Sequence, residues 1–376
     1  MSTANPEIHK GLAGVVVDRT AVSDVVPATN SLTYRGYAVQ ELAASRRFEE
    51  VAHLIWHGEL PGPAELAALC ARERSQRELS RSTIAQIERL PDNCHPMDVL
   101  RSAVSAFGAE DPTEDAAGRE AILAKAVAMM ARLPTVVALD FRRRHELPRI
   151  APDPDLPFSE NFFHMCFGEV PEPEVVRAFD VSLILYAEHS FNASTFTARV
   201  VTSTLSDVYS AVTAAIGALK GPLHGGANEA VMEMMLEIGD PDRAADWLRA
   251  TLAAKRKVMG FGHRVYRDGD SRVPTMRAAL ADVAARRDGE RWVRMYDALE
   301  TAMAQERGIH PNLDFPAGPA YHLMGFDIPM FTPIFVMSRI TGWTAHIIEQ
   351  SESNALIRPL SLYEGPAQRE VPAVSA

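Results

Sequence analysis

The chain has 376 residues, 47% hydrophobic and 23% charged, enough for a large core arranged as two domains or one large one. A net charge of -11 argues against nonspecific nucleic-acid binding, and it means that any anionic substrate must be met by locally gathered arginines. Three scattered cysteines, Cys70, Cys94 and Cys166, supply neither a disulfide framework nor a zinc spacing, which fits a reducing cytoplasm.

The first stretch, MSTANPEIHKGLAG, lacks a basic-then-apolar signal pattern. The run GLAGVVVDRTAVSDVV predicts a short hairpin. PAELAALCARERSQREL places apolar residues at helical spacing with arginines between them. The apolar run AVAMMARLPTVVAL is broken by Arg132 and Pro134, so no run approaches the ~20 apolar residues of a membrane span. The segment 142–163 holds four prolines and reads as a connector that no long helix crosses. SDVYSAVTAAIGALKG opens on a Ser-Asp cap signal and closes on Gly221. DRAADWLRATLAAKRKVMG and GERWVRMYDALETAMAQERG each predict a helix closed by a glycine, Gly260 and Gly308. The last residues, GPAQREVPAVSA, predict loose order. The expected fold class is all-α, with at most a small N-terminal β element.

Three loop-like stretches set a titratable residue beside small or rigid ones: GPLHGGANE with His224, KVMGFGHRVYRDGDSR with His263, and HPNLDFPAGPAY with Asp314. Pro222 presets the backbone before His224, and Gly225 and Gly226 free it afterwards. Taken singly, each has an ordinary explanation as a helix cap or a turn. GFGHRV lacks the third glycine of a dinucleotide loop and follows a helix rather than a strand. Arg267, Arg272, Arg339 and Arg358 lie in or after these stretches and suit two-pronged carboxylate binding. There are 12 histidines but no HExxH, no GxSxG elbow and no GKS or GKT phosphate loop, so no metal is expected.

At these residues the chain resembles the citrate synthase family. GFGHRVYRDGDSR fits the family signature through Asp270, Ser271 and Arg272, and PLHGGANE and NLDF resemble the other two catalytic segments in the right order. AEHSFNASTFTAR resembles the family stretch whose histidine contacts oxaloacetate, and the likeness runs from about Gly11 to Pro366. Within the family the likeness is greatest to the 2-methylcitrate synthase branch, in NSLTYRGYAVQELA, HPMDVLRSAVSAFG and the segment from Asn312 to Gln350. Many citrate synthases carry Tyr-Ser-Gly where Pro316, Ala317 and Gly318 stand here, a departure beside the third catalytic segment that points to a reshaped acyl pocket or an altered turn. The chain also starts without the extra N-terminal domain of the large NADH-regulated relatives, so that regulation is not expected.

The resemblance implies a two-domain helical fold, with 1–221 and 326–376 in a large domain and 222–325 in a small one that closes over substrate. It implies that Asp314 takes the α-proton of an acyl-CoA thioester, His224 hydrogen-bonds the thioester oxygen, and His263 protonates the oxaloacetate carbonyl. It assigns oxaloacetate binding to His189, Arg272 and Arg339, with Arg358 supplied by the second subunit of a homodimer. Lys257, Val258, Met259, Gly260 and Phe261 resemble the stretch that cradles CoA, and Arg267 is a further CoA contact. The acyl-CoA is a co-substrate, with no bound cofactor and no nucleic-acid or membrane partner. The helix start after His224 favours a neutral imidazole there.

The implied reaction joins propionyl-CoA to oxaloacetate, with some acetyl-CoA turnover, because a pocket distinguishes one methylene by only ~1–3 kcal/mol. The rival within the class is a citrate synthase with acetyl-CoA as its main substrate. Outside it stand a catalytically silent helical dimer and a metal-dependent hydrolase, which a chelator would inhibit.

Overall fold

The computed structural model describes residues 8–26, 29–263, 265–266 and 269–372. Among these residues there are sixteen α-helices and one three-stranded sheet, so the all-α expectation holds. Before the proline-rich connector come α1 (Val39–Ser45), α2 (Phe48–His57), α3 (Pro63–Arg74), α4 (Arg81–Glu88), α5 (Pro96–Glu110) and α6 (Arg119–Arg144). After it come α7 (Phe158–Phe167), α8 (Pro173–Tyr186), α9 (Ala193–Ser203) and α10 (Val208–Leu219). The last group is α11 (Ala227–Ile238), α12 (Ala244–Ala253), α13 (Val273–Arg286), α14 (Glu290–Arg307), α15 (Asp314–Leu323) and α16 (Phe331–Glu352).

α16 is almost wholly buried, as a central helix should be, and carries Arg339 and His346 into the interior among its apolar residues. α6, α8, α9 and α10 pack around it. α6 corrects one expectation: it runs unbroken through Pro134. It is long and apolar enough to cross a membrane by length and composition, but 89% of its most apolar window is buried inside the protein. Packing on every side outweighs the lost backbone bond at Pro134 and makes this a core helix.

The hairpin also lies later than expected. β1 (Ser23–Val26) pairs antiparallel with β2 (Ser31–Tyr34), and β2 with β3 (Tyr37–Ala38). The valine run before it forms no strand, because no face buries it: Val16 is 89% exposed, whereas Leu32 and Tyr34 are fully buried. The connector is irregular over 145–157, shorter than the expected 142–163, because its two ends belong to α6 and α7.

Helix ends follow local chemistry. Asp207 accepts from the Ser210 amide at the start of α10, and Gly308 closes α14 in the left-handed region. Gly260 does not close α12. That helix stops at Ala253, where Lys255 turns left-handed at φ 54° and the Arg256 amide returns to the Thr251 carbonyl. The stretch after Asp314, expected as loop, is the buried helix α15. Pro316 is tolerated there because the amides of a first helical turn have no helical acceptor.

Candidate active site

Three irregular segments meet over the C-terminal end of α8. The 260–263 and 310–312 segments are tied together directly: the Gly262 amide donates to the His310 carbonyl (2.8 Å), the Asn312 amide to the Gly260 carbonyl (2.9 Å), and Asn312 Nδ2 to the Gly262 carbonyl (3.0 Å). Gly260 has φ 81°, and a Cβ there would come within 2.6 Å of Val231, so only glycine fits. The third segment, 221–226, carries His224 into α11. Neither Gly225 nor Gly226 has positive φ; Gly225 is required for space, since a Cβ would meet Leu219 at 2.6 Å.

These segments enclose an open cavity of about 1480 Å³. His189, His224, His263, Arg272, Asp314 and Arg339 all line it, as do Lys257, Val258, Met259, Gly260 and Phe261. Arg358 does not; it is exposed on the extended segment after α16. Arg267 lies outside the described residues. Pro316, Ala317 and Gly318 are buried and do not line the cavity. A Cβ at Gly318 would stand 2.9 Å from the Asn228 carbonyl, so this stretch sets how closely α15 packs on α11.

Two of the three cavity histidines, His224 and His263, are held in opposite tautomers. His224 Nε2 accepts from the Ser194 amide (3.2 Å) and lies 2.8 Å from the Ser194 hydroxyl, which leaves the proton on Nδ1. His263 Nδ1 accepts from the amides of Val265 (3.1 Å) and Tyr266 (3.3 Å), which leaves the proton on Nε2. Both rings are neutral at ordinary pH. Burial, reinforced by the Arg339 charge, lowers His224 to about 4. Burial and then Arg272 lower His263 to about 4 against the opposing pull of Asp270. The neutral His224 was expected from the helix start that follows it; burial and a guanidinium lower it as well. His189 is driven well below its usual value by burial, Arg272 and His263, and its buried Nε2 has no hydrogen-bond partner.

Asp314 opens α15 and receives a 2.7 Å hydrogen bond from the Tyr186 hydroxyl. Burial lifts its carboxyl to about 6, with the Tyr186 bond and the Arg272 charge pulling the other way. The site therefore contains a carboxylate poised as a base near neutral pH and two neutral imidazole donors.

The arginines are fixed by the last carbonyls of α8, the negative end of that helix. Arg339 Nε donates to the Tyr186 carbonyl (2.6 Å), and Arg272 Nη1 to the Leu185 carbonyl (3.5 Å). Arg272 is also gripped by both oxygens of Asp270, at 2.9 and 2.7 Å. Burial disfavours the Asp270 charge, but this guanidinium outweighs it and holds the carboxyl well below its usual range. Arg339 has no carboxylate at ion-pairing distance among the described residues; burial lowers it only to about 10, so it stays charged and open to an anion.

Tyr186, Ser194 and Phe335 belong to the site without having been singled out in the sequence. Phe335 lies 4.2 Å from the Tyr186 ring and under the Arg339 guanidinium. Trp343 Nε1 donates to the Ser194 hydroxyl (3.0 Å). No local signal marks these residues, since an aromatic or serine at a helix end usually serves packing or capping. Among the described residues no group of three or more His, Cys, Asp or Glu is placed to hold a metal ion.

A family model described as "Citrate synthase, C-terminal domain" matches residues 11–360. The chain is 67% identical to a 2-methylcitrate synthase of Mycobacterium tuberculosis, over 98% of this chain and 93% of that one. It is 65% identical to a citrate synthase of Mycolicibacterium smegmatis, over 97% of each. A solved Thermoplasma acidophilum citrate synthase, described as a ternary complex with carboxymethyl coenzyme A and oxaloacetate, is similar with a TM-score of 0.93 and 32% identity, over 98% of this chain and 99% of that one.

Proposed function

The chain belongs to the citrate synthase family, and on that footing we propose that it condenses propionyl-CoA with oxaloacetate and water to give 2-methylcitrate and CoA. It is a condensing acyltransferase. The observation that carries the chemistry is the pairing of a raised-pKa carboxylate with two neutral imidazoles whose protons sit on opposite nitrogens. The acyl preference rests on the 67% identical relative named for 2-methylcitrate, and acetyl-CoA turnover as a second reading on the 65% identical one named for citrate.

Asp314 takes the proton from the carbon next to the thioester. That proton is released only if the oxygen is stabilised as charge develops, and His224 supplies this through Nδ1–H. Ser194 keeps that proton in place by occupying Nε2. The enol carbon then forms a bond to the ketone carbon of oxaloacetate, and His263 gives its Nε2 proton to the ketone oxygen. Water cleaves the resulting thioester and releases CoA. Positioned acid–base groups of this kind contribute ~10²–10⁴-fold each.

Oxaloacetate is a dianion, and the uncommitted guanidinium of Arg339, the braced one of Arg272 and the unpartnered Nε2 of His189 suit it. Arg358 completes the site from a second subunit, a reading supported by its exposure on a segment that also exposes Leu356 and Leu360. The 257–261 backbone, which lines the cavity, holds CoA. Residues 222–325 form the smaller domain that closes over oxaloacetate, supported by the mutual packing of α12, α13, α14 and α15. Three free cysteines suit a reducing cytoplasm.

The test is kcat/KM for propionyl-CoA and acetyl-CoA at saturating oxaloacetate, followed by free thiol release. A clear propionyl-CoA preference supports the reading. An acetyl-CoA preference makes citrate formation the main reaction, and no thiol release with either thioester overturns condensation.

A further inference from the structure

We propose that Ser23 and Tyr34, on the β1–β2 hairpin, are positioning residues for oxaloacetate binding: they fix the turn that presents His189, an inference that rests on the role given to His189 above. The two stand opposite each other in the strand register. Both are buried and neither lines the cavity, so they reach the substrate only through what they hold.

The turn between α8 and α9 needs outside support. Ser190, next to His189, sits at φ 49°, a conformation that a residue with a side chain keeps only when its surroundings impose it. Ser23 imposes it from one side: its hydroxyl oxygen accepts from the Ser190 amide (2.8 Å) and its proton goes to Glu188 Oε1 (2.9 Å). Tyr34 works from the other side. Its oxygen accepts from the Glu188 amide (3.2 Å), and its proton faces the carbonyls of Ile184 (3.0 Å), Leu185 (3.3 Å) and Glu188 (3.0 Å). The residues before and after His189 are thus both tied to one hairpin.

Glu188 anchors the turn from behind. Its Oε1 lies 2.9 Å from His346 Nε2, while His346 Nδ1 faces Arg199 at 3.1 Å. α16 makes room for it: a Cβ on Gly342 would stand 2.2 Å from Glu188 Oε2. The hairpin tip reaches the opposite wall as well, where Asn30 Nδ2 donates to the Gly269 carbonyl (3.0 Å), one residue before Asp270. The single sheet among the described residues therefore bridges the segment that presents His189 and the segment that leads to Arg272. An imidazole whose free nitrogen must meet a substrate oxygen loses binding when it shifts by a fraction of an ångström.

The test is steady-state kinetics on Ser23→Ala, Tyr34→Phe, His189→Ala and the Ser23→Ala/His189→Ala double variant, each with its melting temperature. Ser23→Ala and Tyr34→Phe are expected to raise the oxaloacetate KM about five- to tenfold. The kcat and the acyl-CoA KM should stay within about twofold, and Ser23→Ala should add less than about twofold once His189 is gone. An unchanged oxaloacetate KM in both single hairpin variants overturns the inference, as does an equal Ser23→Ala effect in the double variant. If His189→Ala leaves that KM unchanged, the assignment of His189 fails and the inference with it, a result distinct from failure of the hairpin variants alone.

Discussion

The Tyr186 hydroxyl donates a 2.7 Å hydrogen bond to Asp314 Oδ1, from the last residue of α8 to the first of α15. Burial and then the Asp314 charge lift the Tyr186 phenol well above its usual value, so it remains a donor at every working pH. The bond favours the ionised carboxylate, against burial, which favours the neutral acid. Tyr186→Phe is expected to move the acid limb of the kcat/KM profile upward by about one pH unit. Activity should recover at higher pH; a limb that does not move would show that the bond does not tune Asp314.

The unaltered enzyme should lose kcat/KM as pH falls through about 6, the value to which burial lifts Asp314. His224 and His263, at about 4, and His189, driven well below its usual value, add no inflection between pH 6 and 8. A pH profile of condensation checks this, and a histidine-like limb near 7 that vanishes in His224→Asn would contradict it.

Asp314→Asn should abolish turnover while stabilising the fold. Between pH 3.8 and about 6 the folded carboxyl binds a proton that the unfolded one has lost, so stability falls with rising pH across that window. Above it the full cost of the buried charge is present, about 3 kcal/mol for a shift of this size. The variant's melting temperature should therefore exceed that of the parent by several degrees at pH 7.5 and by less at pH 5. Equal melting temperatures at pH 7.5 would show that the charge carries no penalty.

Ser194→Ala removes the hydroxyl from His224 Nε2 and leaves the amide at 3.2 Å. A looser ring should lower kcat by about tenfold with little change in oxaloacetate KM. A change confined to KM would place Ser194 in substrate binding instead.

Arg358→Ala should raise the oxaloacetate KM, and at oxaloacetate well below that raised KM mixing it with Asp314→Asn should restore activity. Random pairing makes half the dimers mixed, each with one intact site of two, so about a quarter of full activity returns. No recovery after subunit exchange would exclude a shared site.

Much of the site was legible because its chemistry is written in short segments. His224, His263 and Asp314 each stand among residues whose small size or fixed backbone is visible in the chain, and all three line one cavity. The helices with strong end signals, such as Asp207 before α10 and Gly308 after α14, also stand where the residues place them. The glycine signal failed at Gly260, whose glycine serves a packing contact with Val231 from a distant helix. It failed likewise at 316–318, where prolines suggested a loop and burial against α11 made a helix.

The sequence by itself determined the helical class and put forward His224, His263, Asp314, Arg272 and Arg339, which the fold brings to one cavity, because these candidates depend on residue type and near neighbours. Only the tertiary structure decided which nitrogen of His224 carries the proton, since Ser194 lies thirty residues away, whereas His263 is set by the amides two and three residues on. It alone set the Asp314 carboxyl near 6 and turned Arg272 and Arg339 onto the end of α8, because burial and long-range contacts are properties of the folded chain.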